Sequence, residues 1–570
     1  MEKPWIAHYD QGITPDITYP EIPVDRFLSE AAEQYGDRTA TVFGAKVGKR
    51  LMEASLTWEQ LNDLTDRFAA GLQDIGVQKG DRVALMFPNC PQFVIAAHAV
   101  WRIGAVVVCC NPLYVQREIE HLLRDSGATT FICMSAFYDK VRQALPGSSV
   151  DRMVTSNIKD YFPFVLRMLF TLTKERKEGH RVDISGHDGA CRFADLLAGR
   201  SKPTPVDVGP GDTSTLIYTG GTTGKPKGAE LVHANQVANA VNLNAWAKSR
   251  KGEEVMLAVM PFFHIYGLSV VMNTSVAGAI TMVLVPNPRD LEHVLATIEK
   301  NRVSFYLGVP TMFAAVNNHP DLGRYDLSSM RFAASAAAPL APEIADRFEK
   351  ATRGRMVQAY GLTETIAACM NPVESPRSHS IGIPLQNSEL RVVDPEDPEK
   401  EMPVGEIGEI VLKGPTVMRG YWKRPDATAE AMVKGPDGSE GWFRSGDMGR
   451  MDQDGFFYLV DRKKELIICG GYNVYPTEVE AVLYEHPDVL EAAVIGVPHE
   501  TRGETVKAFV VPREGKNPAA DEIVEFCKDR LAAYKVPRMV EFREVLPKSL
   551  IGKVLRRELR EEELGQKTGA

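Results

Sequence analysis

Ten residues near the middle of the chain, 219–228, read TGGTTGKPKG and constrain the protein more than any other segment. They contain four glycines, three threonines and two lysines. Glycine adopts positive φ at little cost, so such a loop can turn several backbone N–H groups toward one anion. Threonine hydroxyls bind phosphate oxygens or a hard cation, and Lys227 adds a mobile positive charge. The segment therefore predicts a phosphate-binding loop.

The nearest alternative is the P-loop, GxxxxGK[ST], and the spacing here does not match it. Gly220 and Gly224 enclose three residues where that motif has four. Pro226 follows Lys225 at the position where a serine or threonine hydroxyl would bind magnesium. A plain glycine-rich surface loop explains the glycines but neither the paired threonines nor the KPKG ending. A P-loop ATPase or kinase is therefore disfavoured.

The composition indicates a globular protein rather than a nucleic-acid binder. The 570 residues are 44% apolar and 25% charged, and the net charge of −9 comes without an evident basic stripe. Eight cysteines lack metal-ligand or CxxC spacing, which favours a reducing cytoplasm. The first 25 residues are polar and do not resemble a signal peptide. The uncharged run 266–286 is divided by Gly278, which predicts a buried helix and then a strand rather than a membrane span.

Helix and strand patterns alternate through most of the first 460 residues, which predicts an α/β fold of parallel sheets covered on both faces. Predicted strands lie at 82–87, 104–109, 129–134 and 304–308, and predicted helices at 90–103, 118–126 and 291–301. Residues 387–460 are rich in Gly, Pro and Asp and predict a small β subdomain, with a hairpin turn at Asp454-Gly455. The last 110 residues predict an α+β domain. We place the domain boundary, a hinge, at Asp461-Arg462, giving domains 1–460 and 461–570.

Residues 160–173 read DYFPFVLRMLFTLT and precede a run that contains Lys174, Arg176, Lys177 and Arg181. An apolar stretch beside cations can lie on an anionic membrane surface. The alternative is an inserted helix that packs on the sheet. The sequence favours the packed helix and leaves peripheral membrane contact open.

The octad QAYGLTET, residues 358–365, comes at the end of a predicted strand, 355–360, and places Tyr360, Thr363 and Glu364 on the loop at that strand's carboxyl end. Ligands of α/β sheets collect at the carboxyl ends of strands. Tyr360 could stack on a base, Thr363 could bind a phosphate, and Glu364 is a suitable magnesium ligand. The start of a capped helix would also explain Thr363 and Glu364.

Four further segments carry candidate residues. The small-residue turn 335–339 permits close approach of a flat base, although a packed core turn explains it equally well. His264 lies between aromatic residues, where a buried structural histidine is the common alternative. Asp447 has two oxygens that could accept the hydroxyls of a ribose. Lys553 follows a glycine near the chain end, where a solvated lysine is the usual alternative.

These motifs, in this order, resemble those of the ANL superfamily of adenylate-forming enzymes, and the resemblance covers nearly the whole chain. Its long-chain-fatty-acid–CoA ligase branch matches best, through VDRKKELIICGGYNVYP at 460–476, YKVP at 534–537 and LPKS at 546–549. The resemblance implies two half-reactions. A fatty acid and ATP give acyl-AMP and pyrophosphate, and coenzyme A then displaces AMP after the smaller domain rotates.

The resemblance also implies roles for individual residues. The phosphates of ATP would be held by Thr219, Gly220, Thr222, Thr223, Gly224 and Lys227. Adenine would lie against Tyr360, Gly361 and the backbone of Ala336, Ala337 and Ala338. Thr363 would bind the α-phosphate, Glu364 with Thr223 would bind Mg²⁺, and Asp447 with Arg462 would bind the ribose. Lys553 would bridge the carboxylate and α-phosphate, Asp461 would act at the pivot, and His264 would border the acyl pocket. Gly470, Gly471 and Tyr472 would line the pantetheine tunnel.

Two positions depart from the family pattern. Ile468 stands where several relatives carry a lysine used in the second half-reaction, and Ala336 stands where many carry glycine. An aryl-acid or medium-chain acyl-CoA ligase remains an alternative within the family, and a non-enzymatic lipid-binding protein at a membrane surface is the alternative from another class. The sequence leaves chain length and oligomeric state open, with a homodimer as one option. We expect a cytoplasmic protein, with peripheral contact at the inner face of the membrane also open.

Overall fold

The computed structural model describes residues 3–48, 50–219, 226–470, 472–499, 502–548 and 554–568, with side chains described up to residue 565. The chain divides into two compact units. The larger unit comprises Trp5–Glu389 and Leu412–Met432, and the smaller unit comprises Met1–Pro4, Leu390–Val411 and Val433–Ala570.

A nine-stranded sheet forms the first layer of the larger unit. Its central strands pair in parallel and are almost wholly buried, as expected where both faces are covered. Within the described residues the strand order is Ile383–Pro384, Ile366–Met370, Arg355–Leu362, Phe332–Ser335, Phe305–Gly308, Val255–Ala258, Thr281–Leu284, Thr39–Val47 and Arg50–Thr57.

An eight-stranded sheet forms the second layer of the larger unit. Six of its strands pair in parallel, and on one side Lys227–Val232 pairs antiparallel with Thr213–Thr219 and with the edge strand Gly420–Tyr421. The strand order is Gly420–Tyr421, Lys227–Val232, Thr213–Thr219, Val106–Cys109, Arg82–Met86, Thr130–Met134, Arg152–Ser156 and Ala190–Arg192. Proline at the first helical position starts the buried helix Pro91–Arg102 between two of these strands.

The α-helices of the larger unit connect and cover these strands. They span Arg26–Tyr35, Trp58–Asp74, Pro91–Arg102, Gln116–Ser126, Tyr138–Ala144, Phe164–Thr173, Phe193–Leu197, His233–Trp246, Thr274–Ala277, Leu291–Asn301, Pro310–Asn317, Pro342–Thr352 and Pro425–Ala431. A π-helix, Tyr266–Asn273, runs directly into Thr274–Ala277. Short 3₁₀ helices lie at Pro4–His8, Ser135–Phe137, Ile158–Tyr161 and Leu322–Arg324.

The smaller unit contains two sheets. One joins Glu389–Val393, Gly408–Lys413, Trp442–Met451 and Met432–Val433, with Phe457–Arg462 paired antiparallel to Trp442–Met451. The other joins Tyr472–Val474, Ile467–Cys469, Gly503–Pro512 and Val489–His499, with Met539–Phe542 paired in parallel to Gly503–Pro512. The helices are Pro476–Tyr484, Ala520–Lys528 and Arg556–Thr568, with a 3₁₀ turn at Lys463–Glu465.

The predicted α/β architecture is confirmed. The helix Leu291–Asn301 has the predicted bounds. The bounds of the other predicted helices and strands named above for the first 460 residues agree with the structure within two residues. Residues 266–286 form a helix and then a strand, as predicted, and none of the described helices is both long and apolar enough to cross a membrane. The turn Asp454-Gly455 joins two antiparallel strands, and Gly455 has φ of 83°. The hinge at Asp461-Arg462 stays a prediction.

Candidate active site

The glycine-rich loop closes a β-hairpin in the larger unit. Thr219 ends one strand, Lys227 begins the next, and the two residues are direct cross-strand partners. The hydroxyl of Thr219 donates to the backbone carbonyl of Lys227 at 3.4 Å. Gly220, Thr222, Thr223 and Gly224 lie outside the described residues. The two strands therefore fix both ends of the predicted phosphate loop at one edge of the eight-stranded sheet.

The octad 358–365 forms a second hairpin, on the nine-stranded sheet. Strand Arg355–Leu362 turns back into strand Ile366–Met370, and Thr363 and Glu364 lie in the turn. The prediction that Tyr360 lies on the loop is wrong, because Tyr360 pairs with Cys369 inside the ladder. No helix follows Glu364, so the capped-helix alternative does not apply to this segment. The strand is longer than expected because its partner returns at once and satisfies its backbone groups.

Tyr421 joins the two hairpins and was missed by the sequence analysis. Its hydroxyl donates to Oε1 of Glu364 at 2.8 Å, and Nζ of Lys227 lies 5.1 Å from the centre of its ring. Burial, followed by the Glu364 carboxylate, raises the pKa of Tyr421, so the phenol stays protonated and donates. The short strand Gly420–Tyr421 places this side chain by pairing with Ala229 and Glu230.

The backbone also holds the turn of the second hairpin. The N–H of Met418 donates to the carbonyl of Glu364 at 2.7 Å, and the N–H of Trp422 donates to the carbonyl of Gly228 at 2.8 Å. Residues 418–422 thus contact both hairpins. Because of these contacts, the side chains of Lys227, Tyr421 and Glu364 lie close together where the two hairpins meet.

The small-residue turn follows the strand Phe332–Ser335, next to the strand that carries Tyr360. Ala337 has φ of 70°, a left-handed conformation that an alanine adopts at a cost of roughly 1–2 kcal/mol. The N–H of Ala336 donates to the carbonyl of Gly308 at 3.2 Å. Tyr266 supports the same strand ends, because its hydroxyl lies 3.1 Å from the carbonyl of Gly308 and 3.2 Å from that of Ala334.

His264 lies at the start of the helical segment that contains Tyr266. Its Nδ1 accepts a hydrogen bond from the N–H of Tyr266 at 3.2 Å, which leaves Nε2 as the protonated nitrogen of the neutral ring. Burial lowers the pKa of His264 to about 4. The imidazole is therefore neutral at physiological pH.

Two other buried histidines of the larger unit behave in the same way. Burial lowers the pKa of His233 to about 4 and that of His98 to about 3. In the unfolded chain these imidazoles have their ordinary pKa of about 6.5 and bind a proton below that pH, whereas in the folded chain they stay neutral. Their contribution to stability is therefore complete above about pH 6.5 and is lost as the pH falls toward about 4, by up to about 1.4 kcal/mol per pH unit and group.

We therefore expect the free energy of unfolding of the full chain to fall between about pH 7 and about pH 5. Urea unfolding at a series of pH values measures it. The variant His98→Met should lose part of this dependence, because one titrating group is removed. The variant His379→Asn, at an exposed position, should keep the full dependence. An identical pH dependence in wild type and His98→Met would contradict the account.

In the smaller unit, Asp447 and Arg462 face each other across a strand pair. They are direct cross-strand partners, and Nε of Arg462 lies 2.6 Å from Oδ1 of Asp447. Asp447 is buried, whereas the Arg462 side chain is 35% exposed. The predicted ribose contacts therefore lie side by side on one sheet.

Asp461 anchors the segment that follows the predicted hinge. Its carboxylate accepts from the N–H of Thr477 at 2.8 Å and from the Thr477 hydroxyl at 3.0 Å. Arg556 lies 3.9 Å from the same carboxylate, binds Glu480 through Nε and Nη2 at 3.0 and 2.6 Å, and pairs with Glu465. Arg556, the first residue of the last helix, thus connects that helix to the predicted hinge residue Asp461 and to Glu480 of the helix Pro476–Tyr484.

Lys553 lies outside the described residues, but its flanks are placed. Lys548 and Val554 form an isolated β-bridge, and the N–H of Leu555 donates to the carbonyl of Pro547 at 2.8 Å. The residues on either side of 549–553 are therefore held together and form the base of this segment. Arg556, three residues after Lys553, fixes that base to Glu480.

The predicted pantetheine residues are only partly placed. Gly470 has φ of 61°, and Gly471 lies outside the described residues. Tyr472 is 60% exposed and stacks on Tyr534, with ring centres 4.6 Å apart. Ile468 is also exposed. The YKVP motif thus contributes an aromatic partner to Tyr472 that spacing in the sequence could not reveal.

Three of the larger unit's candidates lie close together. Tyr421 contacts Glu364 and Lys227, and Lys227 is the cross-strand partner of Thr219. The smaller unit carries Asp447, Arg462, Gly470 and Tyr472. The roles assigned to these residues stay predictions. The sequence analysis missed Tyr421 because residues 420–422, GYW, match no recognised motif. The position of its ring follows only from the pairing of strand Gly420–Tyr421.

Solved structures reproduce this fold. The layered parallel sheets and the smaller α+β unit define a mixed α/β protein, and the ATP-bound MatB of Rhodopseudomonas palustris matches 95% of this chain and 99% of its own chain. Its TM-score is 0.80 and its sequence identity is 28%.

Family models match both parts of the sequence. The AMP-binding enzyme model matches residues 28–422, and the AMP-binding enzyme C-terminal domain model matches residues 478–553. The chain belongs to the AMP-binding enzyme family, the ANL superfamily that the motifs resemble. The long-chain-fatty-acid–CoA ligase of Bacillus subtilis is 40% identical over 577 residues, which cover 99% of this chain and 98% of that protein. The enzyme of the same name from Escherichia coli O6:H1 is 36% identical over 586 residues, covering 99% of each.

Proposed function

We propose that the protein activates a long-chain fatty acid with ATP and transfers it to coenzyme A, giving acyl-CoA, AMP and pyrophosphate. The observation that carries the proposal is the Lys227–Tyr421–Glu364 contact chain, which brings the base of the glycine-rich loop and a carboxylate together. Relatives named for this reaction, aligned over nearly the full chain, support it.

In the first half-reaction the acid's carboxylate oxygen attacks the α-phosphorus of ATP. The bond between the α-phosphorus and the bridging oxygen breaks, and pyrophosphate leaves. Negative charge that builds on the phosphates must meet positioned donors and cations. We assign Lys227 and the loop Thr219–Gly224 to the β- and γ-phosphates, Thr363 to the α-phosphate, and Lys553 to the bridge between carboxylate and α-phosphate.

Glu364 suits magnesium, which binds through one or two carboxylates together with phosphate oxygens and water. Glu364, with Thr223 from the loop, would hold it, and the ion would neutralise charge on the phosphates when bound. Tyr421 keeps the Glu364 carboxylate oriented.

In the second half-reaction the sulfur of coenzyme A attacks the acyl carbon. The bond from that carbon to the phosphate oxygen breaks, AMP leaves, and the thiol proton passes to solvent. We assign Gly470, Gly471 and Tyr472 to the pantetheine arm and His264 to the border of the acyl pocket. Asp447 and Arg462 hold the ribose, and Tyr360, Gly361 and the backbone of Ala336, Ala337 and Ala338 hold adenine.

The substrate class is tested by incubating the purified protein with ATP, magnesium, coenzyme A and one acid at a time. The panel contains short, medium and long fatty acids together with aryl acids such as benzoate and cinnamate. Mass spectrometry of the thioester identifies the product, and AMP is quantified in parallel. We expect the highest kcat/KM with a long-chain fatty acid.

Two results would contradict this proposal in different ways. A higher kcat/KM with an aryl or medium-chain acid would make the protein a different acyl-CoA ligase of the same family. Release of ADP instead of AMP would exclude the adenylate pathway altogether.

We further propose that the protein works in the cytoplasm, at the inner face of the membrane. None of the eight cysteines forms a disulfide with another described residue, and seven of them are well buried. A reducing compartment suits such a set of thiols. The membrane part of this proposal depends on the helix Phe164–Thr173.

A further inference from the structure

The helix Phe164–Thr173 presents an apolar face to solvent. Phe164 is 72% exposed and Leu172 is 79% exposed. Five of the eighteen exposed large hydrophobic side chains of the described residues lie on this helix: Phe164, Val165, Met168, Leu169 and Leu172. Because these positions follow the spacing i, i+1, i+4, i+5 and i+8, they share one side of the helix.

The opposite side of the helix anchors it to the larger unit. Leu166 and Phe170 are buried. The ring of Phe170 lies 5.7 Å from that of Phe162, which stacks on Phe43 at 5.3 Å, and 5.4 Å from that of His180. The helix therefore packs on the domain as the sequence analysis favoured, yet its outer face is more apolar than a surface helix needs.

The segment that follows this face is basic. Residues 164–181 contain five basic and two acidic side chains, a surplus of three positive charges in a chain whose net charge is −9. Glu175, one of the two acids, turns inward and binds Lys159 at 2.6 Å and the side-chain amide of Asn157 at 2.8 Å.

The outward side chains of this segment are mostly cations. In the described residues no carboxylate pairs with Arg176, Lys177 or Arg181, and all three are exposed. Lys174 is also exposed and lies 3.5 Å from Glu178. The charge that faces solvent beside the apolar helix is therefore positive.

We propose that the helix Phe164–Thr173 and the cations at 174–181 form a docking surface for a lipid bilayer that carries anionic headgroups. The apolar side chains enter the boundary between headgroups and acyl chains, and the cations contact the headgroup phosphates. Charge complementarity selects this partner over a second copy of the chain, because the cations of two equal faces would repel each other. The inference deepens the proposed function, since a long-chain fatty acid partitions into bilayers and the docked protein would meet it there.

The test is co-sedimentation of the full-length protein with vesicles of phosphatidylcholine, with and without phosphatidylglycerol, in the absence of ATP and acid. We expect binding to the anionic vesicles that weakens as salt is added. The triple variant Phe164→Ser, Met168→Ser, Leu172→Ser should need about tenfold more lipid, or more, for half-maximal binding. The pair Arg176→Gln, Lys177→Gln should lose the preference for anionic lipid.

A matched control removes three exposed apolar side chains elsewhere on the chain, through Val404→Ser, Leu490→Ser and Val545→Ser. It should bind vesicles like the wild type. Unchanged vesicle binding by the helix variant, or no binding by the wild type, would overturn the proposal. So would a wild-type dimer that the helix variant converts to a monomer while lipid binding stays the same, because a second copy would then cover the face.

Activity toward a short, water-soluble acid without vesicles should be equal in the wild type and the helix variant, which shows that the variant is folded. This arm also separates the two proposals. Vesicle binding without acyl-CoA formation from any acid would refute the proposed function and leave the docking surface standing. Acyl-CoA formation without vesicle binding would refute the docking surface and leave the proposed function standing.

Discussion

Replacing Lys553 by alanine should slow acyl-adenylate formation by about 10²–10³-fold, the scale for losing one well-placed transition-state donor. The assignment rests on the family resemblance and on the placed base of the segment, where Lys548 pairs with Val554 and Arg556 binds Glu480. The measurement is acid-dependent exchange of labelled pyrophosphate into ATP. Transfer of the acyl group from pre-made acyl-AMP to coenzyme A should stay near the wild-type rate, because that step needs no bridge to the α-phosphate.

The matched control is Lys548→Ala in the same segment. Lys548 pairs with Glu491 at the surface, and such a pair contributes little to stability. This variant should therefore keep both half-reactions close to the wild-type rates. An equal loss of both half-reactions in Lys553→Ala would refute its assignment to adenylation alone.

Replacing Glu364 by glutamine should raise the magnesium concentration needed for half-maximal adenylation by about 10- to 100-fold. The carboxylate supplies a charged oxygen in the turn of its hairpin, next to Tyr421 and near Lys227. The amide keeps the shape and one oxygen but loses the charge that a hard cation requires. Titration of magnesium against pyrophosphate exchange at saturating ATP measures the effect.

Tyr421→Phe serves as the control for this variant. It removes the phenol that donates to Glu364 but leaves the carboxylate in place. Its magnesium titration should shift less than that of Glu364→Gln. If both variants gave the wild-type titration, Glu364 would not be a magnesium ligand.

The fold was predictable because its elements carry strong local patterns. Arg82–Met86 is a short apolar run bounded by turns, and Pro91 starts the next helix. Such segments are buried on both faces, so their composition alone indicates parallel strands and their covering helices.

The candidate site was less predictable because it depends on long-range pairing. The sequence singled out Lys227 in the glycine-rich loop and Glu364 in the octad, but their common contact with Tyr421 depends on which strand pairs with Ala229 and Glu230. Tyr360 was placed at the loop because the predicted strand ended there, whereas the returning strand Ile366–Met370 extends the ladder to Leu362. The apolar stretch at 160–173 and the cations after it were visible in the sequence, but the sequence did not show which side of the helix Phe164–Thr173 packs.

The most direct test is to incubate the purified protein with ATP, magnesium and a long-chain fatty acid while withholding coenzyme A, and to analyse the quenched mixture by mass spectrometry. We expect fatty acyl-adenylate bound to the enzyme, with an equal amount of pyrophosphate released. If neither product forms with any fatty or aryl acid, the chain does not activate carboxylates and the account is wrong.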